Sequence, residues 1–136
     1  MKYPKNRHLD FLNRLKEASN RGLANFNVHE DFLTNEILNI LWGQGLIEGY
    51  THDNKTKTYN IFLRYENNNQ IIPLIKDIKI ISKPSKKVFM KKWELNPINL
   101  NKKPGFGILT THNGVLSSSE AWEKGIGGLM ICWIYF

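Results

Sequence analysis

The run Leu129–Phe136 (LMICWIYF) contains no charged or strongly polar side chain, and it constrains the fold more tightly than any other stretch of the chain. Leu129–Ile134 reads as a final strand of the core, too apolar to be exposed on both faces. No apolar run approaches the roughly 18 residues that a membrane-spanning helix needs. Cys132 lies inside this run and is the sole cysteine, which excludes an internal disulfide and any multi-cysteine zinc site; a buried structural thiol is expected. Upstream, Gly125, Gly127 and Gly128 release the chain from a short helix that ends near Lys124. That helix opens with Ser117-Ser118-Ser119-Glu120, the S-x-x-E spacing of a capping box.

The amino-terminal part has a different period. Leu9, Leu12 and Leu15, with Phe11 alongside, make the apolar stripe of a helix running to Asn20, and Gly22 ends it. Asn25–Val28 alternates like a short strand. A second helix follows, with Asp31 as its expected N-cap, a stripe of Leu33, Ile37, Leu38, Ile40 and Leu41, and an end at Gly43 or Gly45. Leu46–Thr51 and Thr58–Tyr65 read as a hairpin around a turn at Asp53–Lys55, with Tyr59, Ile61, Leu63 and Tyr65 on one face. Asn67–Gln70 reads as a polar loop. Ile71–Ile81 has strand-like composition or includes a helical turn, since Pro73 interrupts a ladder.

At 136 residues the chain suffices for one domain or two small lobes. Pro84 and the charges of Ser82–Lys87 mark the expected junction, giving an α+β lobe over 1–81, with two helices on a small sheet, and a mostly β lobe with one short helix over 88–136. Val88–Met90 and Phe106–Thr110 read as strands and Asn96–Pro104 as an irregular loop. Residues Met1–Asp10 show no cleavable address, and the wealth of Asn, Lys and Ile suits an A+T-rich genome.

Nineteen Lys and Arg against twelve Asp and Glu give a net charge of +7 and a pI near 9.5, a balance that suits a polyanion, with nucleic acid foremost. Lys83, Lys86, Lys87, Lys91, Lys92, Lys102 and Lys103 crowd the middle of the second half, and each could neutralise a phosphate. Trp93, set among lysines in a loop, is the tryptophan expected to stack on a base, whereas Trp122 and Trp133 belong to packed elements. Thr110-Thr111-His112-Asn113-Gly114 is a polar tight turn whose Asn113-Gly114 suits a hairpin, and whose hydroxyls, imidazole and amides could meet phosphate, 2′-hydroxyl or base edges. The four histidines lack ligand-like spacing, so no metal is expected. The turn Gly125–Gly128 lacks the Lys-Ser/Thr of a phosphate-binding loop and precedes a strand, so no nucleotide cofactor is implied either.

From Gly105 to Leu116 (GFGILTTHNGVL) the chain resembles the C-terminal signature of the small-subunit ribosomal protein eight family. The resemblance continues through Gly125-Ile126-Gly127-Gly128-Leu129 and Met130-Ile131-Cys132-Trp133. It extends more thinly to Gly45-Leu46-Ile47-Glu48, to Ser82-Lys83-Pro84 and to the basic positions Arg14 and Lys16. It implies two α+β lobes, no enzymatic activity, and binding of small-subunit ribosomal RNA beside neighbouring ribosomal proteins, with no membrane and no small-molecule substrate. It also implies RNA contact at Arg14, Lys16, Lys83, Lys86, Lys87, Thr110, Thr111, His112, Asn113, Gly114, Gly127 and Gly128. Leu129 stands where the family usually has Glu, His112 where it has Ser, Asn113 where it has Lys or Gln, and Ser85–Val88 departs from Gly-Leu-Arg-Ile. The drift suggests an organellar, mitochondrial member made inside the organelle, with a bacterial cytoplasm or plastid as the alternative. Two rival readings are a free-standing RNA regulator or chaperone, and a small hydrolase using Cys132 or His112 with Glu120.

Overall fold

A computed structural model describes residues 7–68, 70–97 and 104–136. The chain divides into two α+β units, one up to Lys76 and the other Asp77–Phe136.

The first unit opens with α1 (Arg7–Asn20), which buries Phe11, Leu12 and Leu15 completely, as the helical stripe requires. On its wet side Asp10 pairs with Arg14 and Glu17 with Arg21, acid preceding base by four residues in each case. α2 (Phe32–Gly43) buries Ile37, Leu38 and Leu41. Asp31 does occupy its N-cap position with extended backbone, but its side chain makes no capping hydrogen bond. Both helices end on a glycine in the left-handed region, Gly22 and Gly45, and the following N–H groups of Leu23 and Leu46 return to the carbonyls of Ala18 and Leu41 at 3.0 Å. Against this pair lies an antiparallel sheet ordered β1-β3-β2, formed by β1 (Asn25–His29), β2 (Ile47–Asp53) and β3 (Thr58–Leu63). α1 packs on β1 and α2 on β2, with Val28 and Ile61 buried on the helix side.

The structure departs from the sequence reading past Leu63. Tyr65 does not continue β3 but opens β4 (Tyr65–Asn68), which pairs with β5 (Gln70–Pro73). The stretch expected as a polar loop is therefore a hairpin, whose residue 69 lies outside those described. Pro73 is tolerated because it ends a two-stranded ladder opposite Tyr65, where a missing N–H interrupts nothing. The Tyr65 hydroxyl donates to the Leu23 carbonyl at 2.5 Å, and the buried Ser19 hydroxyl to the Ile75 carbonyl at 3.1 Å.

The second unit contains β6 (Asp77–Ile80), β7 (Phe89–Met90), a 3-10 turn (Lys92–Leu95), β8 (Phe106–Thr111), β9 (Gly114–Ser117), α3 (Ser118–Lys124) and β10 (Gly128–Tyr135). Its antiparallel sheet runs β6-β10-β8-β9, with β7 beside β6 on the same edge of β10. The apolar terminal strand is thus central, as its composition demands. Asp77–Ile80, read with the first lobe, pairs with Cys132–Tyr135 instead, so the division falls ahead of Asp77 rather than within Ser82–Lys87.

A bulge in β10 shifts the register between Met130, opposite Leu109, and Cys132, opposite Ile108. It brings Met130 and Trp133 to the same side over Gly107, where a Cβ would stand 2.6 Å from the Met130 sulfur and 3.2 Å from the Trp133 ring. Leu95, Leu109, Leu116, Ala121 and Met130 form one core cluster. α3 begins at Ser117, whose hydroxyl accepts from the Glu120 N–H and donates to the Glu120 carboxylate, both at 3.3 Å. It ends at Gly125 in the left-handed region.

Candidate nucleic-acid interface

β8 and β9 meet at a tip closed by the pair Thr111 and Gly114. Among the described residues only Lys57 is a non-glycine with positive φ, so neither His112 nor Asn113 adopts the mirror-image turn that Asn-Gly hairpins favour. Gly114 instead takes φ +101°, a backbone conformation that favours glycine, and it closes the loop opposite Thr111 without a register shift. Thr111 builds this geometry: its hydroxyl donates to the Gly114 carbonyl at 2.8 Å and accepts from the Asn113 N–H at 3.1 Å. His112 and Asn113 are exposed, and Thr110 is half-buried. Of the five predicted tip residues, then, one hydroxyl holds the shape and two side chains face solvent.

Across β10, Lys83-Pro84-Ser85-Lys86 forms a second tight turn, closed by reciprocal backbone bonds of 2.8 and 3.0 Å between Lys83 and Lys86. Its anchor is Ser82, which the sequence presents only as a junction residue. The buried Ser82 hydroxyl donates to the Met130 carbonyl at 2.5 Å and accepts from the Val88 N–H at 3.0 Å. Lys83, Lys86 and Lys87 are exposed and form no ion pair among the described residues. The only sequence signal for the anchor is a small hydroxyl residue ahead of Lys-Pro, which any turn could carry.

The glycine turn packs against the segment after β7 and against the end of β8. A Cβ on Gly127 would stand 2.4 Å from the Met90 carbonyl oxygen and 3.0 Å from the Lys92 nitrogen. On Gly128 it would stand 2.5 Å from the Thr110 carbonyl oxygen. Both obstructions are backbone. The pair therefore sets how closely β7, with the lysines that follow it, and the tip of β8 approach β10. Leu129 pairs with Phe89 on one side and Thr110 on the other.

In the first unit Arg14 is occupied: its Nε lies 3.1 Å from the Asp10 carboxylate and it donates to the Asn27 carbonyl at 3.2 Å. Lys16 is half-buried on the same helix. Lys91 and Lys92 are exposed, whereas Lys102 and Lys103 lie outside the described residues. The hydrolase constellation does not assemble. Burial pushes the Cys132 thiol up to about 12, and Cys132 sits opposite Ile108, four residues and roughly 13 Å of strand from His112. Glu120 is held by Ser117 at the start of α3.

Most of the chain is similar in sequence to known proteins. Residues 8–135 match the family described as ribosomal protein S8. The chain is 35% identical over 129 residues to the small ribosomal subunit protein uS8 of Coprothermobacter proteolyticus, covering 93% of this chain and 95% of that one. It is 36% identical over 128 residues to the uS8 protein of Geobacillus kaustophilus, covering 93% and 94%, and 30% identical over 130 residues to that of Campylobacter lari, covering 93% and 95%.

Proposed function

Since the chain belongs to the ribosomal protein S8 family, we propose that its second unit grips small-subunit ribosomal RNA through the two turns beside Gly127 and Gly128. The protein is a structural constituent of the small ribosomal subunit and not an enzyme. In this reading Lys83, Lys86 and Lys87 neutralise backbone phosphates, with Arg14 and Lys16 as further cations. Thr110, His112, Asn113 and Gly114 present a shaped polar edge to sugars or unstacked bases, held by the internal bonds of Thr111. Gly127 and Gly128 serve by permitting close backbone approach.

The observation that carries the reading is the placing of charge and shape on the two sides of β10: exposed lysines in the turn on one side, a prebuilt polar tip presenting His112 and Asn113 on the other. The test is binding of the purified chain to small-subunit ribosomal RNA fragments at two salt concentrations, comparing Thr111→Ala with a set of lysine-to-glutamine changes. The lysine set should weaken binding to all RNAs, and Thr111→Ala should weaken one helix selectively. An affinity indifferent to salt contradicts the reading. Co-sedimentation with small subunits separates it from a free-standing regulator or chaperone. Neighbouring ribosomal proteins complete the expected set of partners.

The ribosome in question is proposed to be mitochondrial. Support comes from the Asn-, Lys- and Ile-rich composition and from the departures at His112, Asn113 and Leu129. The three relatives are bacterial, and a bacterial cytoplasm is the alternative; recovery of the chain in purified mitochondrial small subunits decides between them.

A further inference from the structure

Trp93 is 62% exposed, although a tryptophan of this size ordinarily finds cover. It stands on the 3-10 turn between the exposed Lys92 and a Glu94 whose carboxylate accepts from the Lys91 N–H at 3.2 Å. Two residues further, Leu95 is 1% exposed and packs with Leu109, Leu116, Ala121 and Met130. The turn is therefore nailed to the core on one side while the indole faces out on the other. Its position is also fixed from behind, because Gly127 brings β10 within contact of the Lys91 and Lys92 backbone.

We propose that Trp93 is a base-stacking platform, on which an unstacked nucleobase of the bound ribosomal RNA lies while Lys91 and Lys92 neutralise adjoining phosphates. The inference rests on the RNA-binding reading and adds a second contact element to it. Three features favour a nucleobase over a protein partner. Lysine is depleted in the cores of protein interfaces, yet the exposed Lys91 and Lys92 directly precede Trp93. The second unit carries nine lysines against four carboxylates, so its charge suits a polyanion. An aromatic ring on a fixed turn, with cations beside it, accepts any base because every base has a π-face. Phe89, 70% exposed in β7, gives the same segment a second outward ring.

The test uses the full chain and fragments tiling small-subunit ribosomal RNA, with wild type, Trp93→Ala and Trp93→Phe. Folding midpoints should be equal, since the side chain is exposed. Trp93→Ala should lose about 5- to 150-fold in affinity, the range for removing one base–aromatic stack, and Trp93→Phe should retain most of it. Wild-type indole fluorescence should be quenched on binding, and that quench should vanish in Trp93→Phe while binding persists. Wild type that binds no fragment overturns the RNA reading itself. Wild type that binds, with Trp93→Ala binding equally well, overturns only the stacking platform. Normal RNA affinity of Trp93→Ala combined with lost association with small-subunit particles assigns the ring to a protein partner instead.

Discussion

The hairpin tip at Thr111–Gly114 and the turn at Lys83–Lys86 are built alike and present opposite chemistry. Each is closed by a pair of backbone partners, and in each a hydroxyl is consumed in holding the geometry: Thr111 within the tip, Ser82 beneath the lysines. What remains outward is polar and directional at the tip, where His112 and Asn113 stand, and a set of lysines at the turn. Directional groups can discriminate among RNA shapes, whereas point charges act on any phosphate backbone. In the proposed reading, selectivity and affinity therefore reside in different turns of the second unit.

Gly127 and Gly128 let the segment after β7 and the end of β8 close on β10, so the largest effects should come from these glycines. Gly128→Ala puts a methyl group 2.5 Å from the Thr110 carbonyl oxygen and 2.9 Å from the Thr111 methyl. Backbone must yield, at a cost of about 2–3 kcal/mol measured by urea unfolding. Gly107→Ala is the control, because its clash is with the flexible end of Met130 and should cost less. Equal midpoints for Gly128→Ala and wild type would refute the packing role and leave RNA contact as the reason for that glycine.

Removing the hydroxyl anchors should separate the turns. Ser82→Ala strands the Val88 N–H beside a buried carbonyl and is expected to cost about 2 kcal/mol. Amide exchange at Lys83 and Lys86 should accelerate while that of Thr110 and Thr111 does not. Thr111→Ala removes two bonds at an exposed site, for about 1 kcal/mol, and Thr111→Ser should restore most of it. Its larger effect should be on RNA selectivity, since the tip would no longer have a fixed shape. Should each variant loosen both turns, the two are one cooperative unit and not independent elements.

Local pattern made much of this legible. The stripe of Phe11, Leu12 and Leu15 and the uncharged Leu129–Ile134 run declare a helix face and a central strand because burial imposes a period on any sequence. What it could not reveal is partnership over distance. Asp77–Ile80 looks the same whichever sheet it joins, and its partner, Cys132–Tyr135, lies at the far end of the chain. Pro73 suggested a broken ladder because its place at the end of a two-stranded sheet depends on tertiary pairing. At the interface, Arg14 reads as a basic RNA-contact position, but the sequence does not show that Asp10 and the Asn27 carbonyl already engage it; Gly127 and Gly128 read as RNA contacts, but the sequence does not show that neighbouring backbone fills the space a Cβ would need. Residue type announces chemistry; whether that chemistry is already spent inside the fold is a matter of neighbours.

The smallest structural effect should accompany the broadest functional one. Replacing Lys83, Lys86 and Lys87 together by Gln removes three charges that are exposed and make no ion pair among the described residues, so stability to urea should change by less than about 0.5 kcal/mol. Affinity for ribosomal RNA should fall at every sequence tested, and the slope of log affinity against log salt should shrink by about 0.7 to 0.9 for each phosphate left without its lysine. The ratio between cognate and non-cognate fragments should stay constant, because a lysine reads charge and not base identity. A change in that ratio would mean that the lysine turn shares in recognition, and that shape and charge are not divided between the two turns. An unchanged slope would mean that the turn faces away from the RNA, leaving Lys91 and Lys92, packed by their backbone against Gly127, to supply the phosphate contacts.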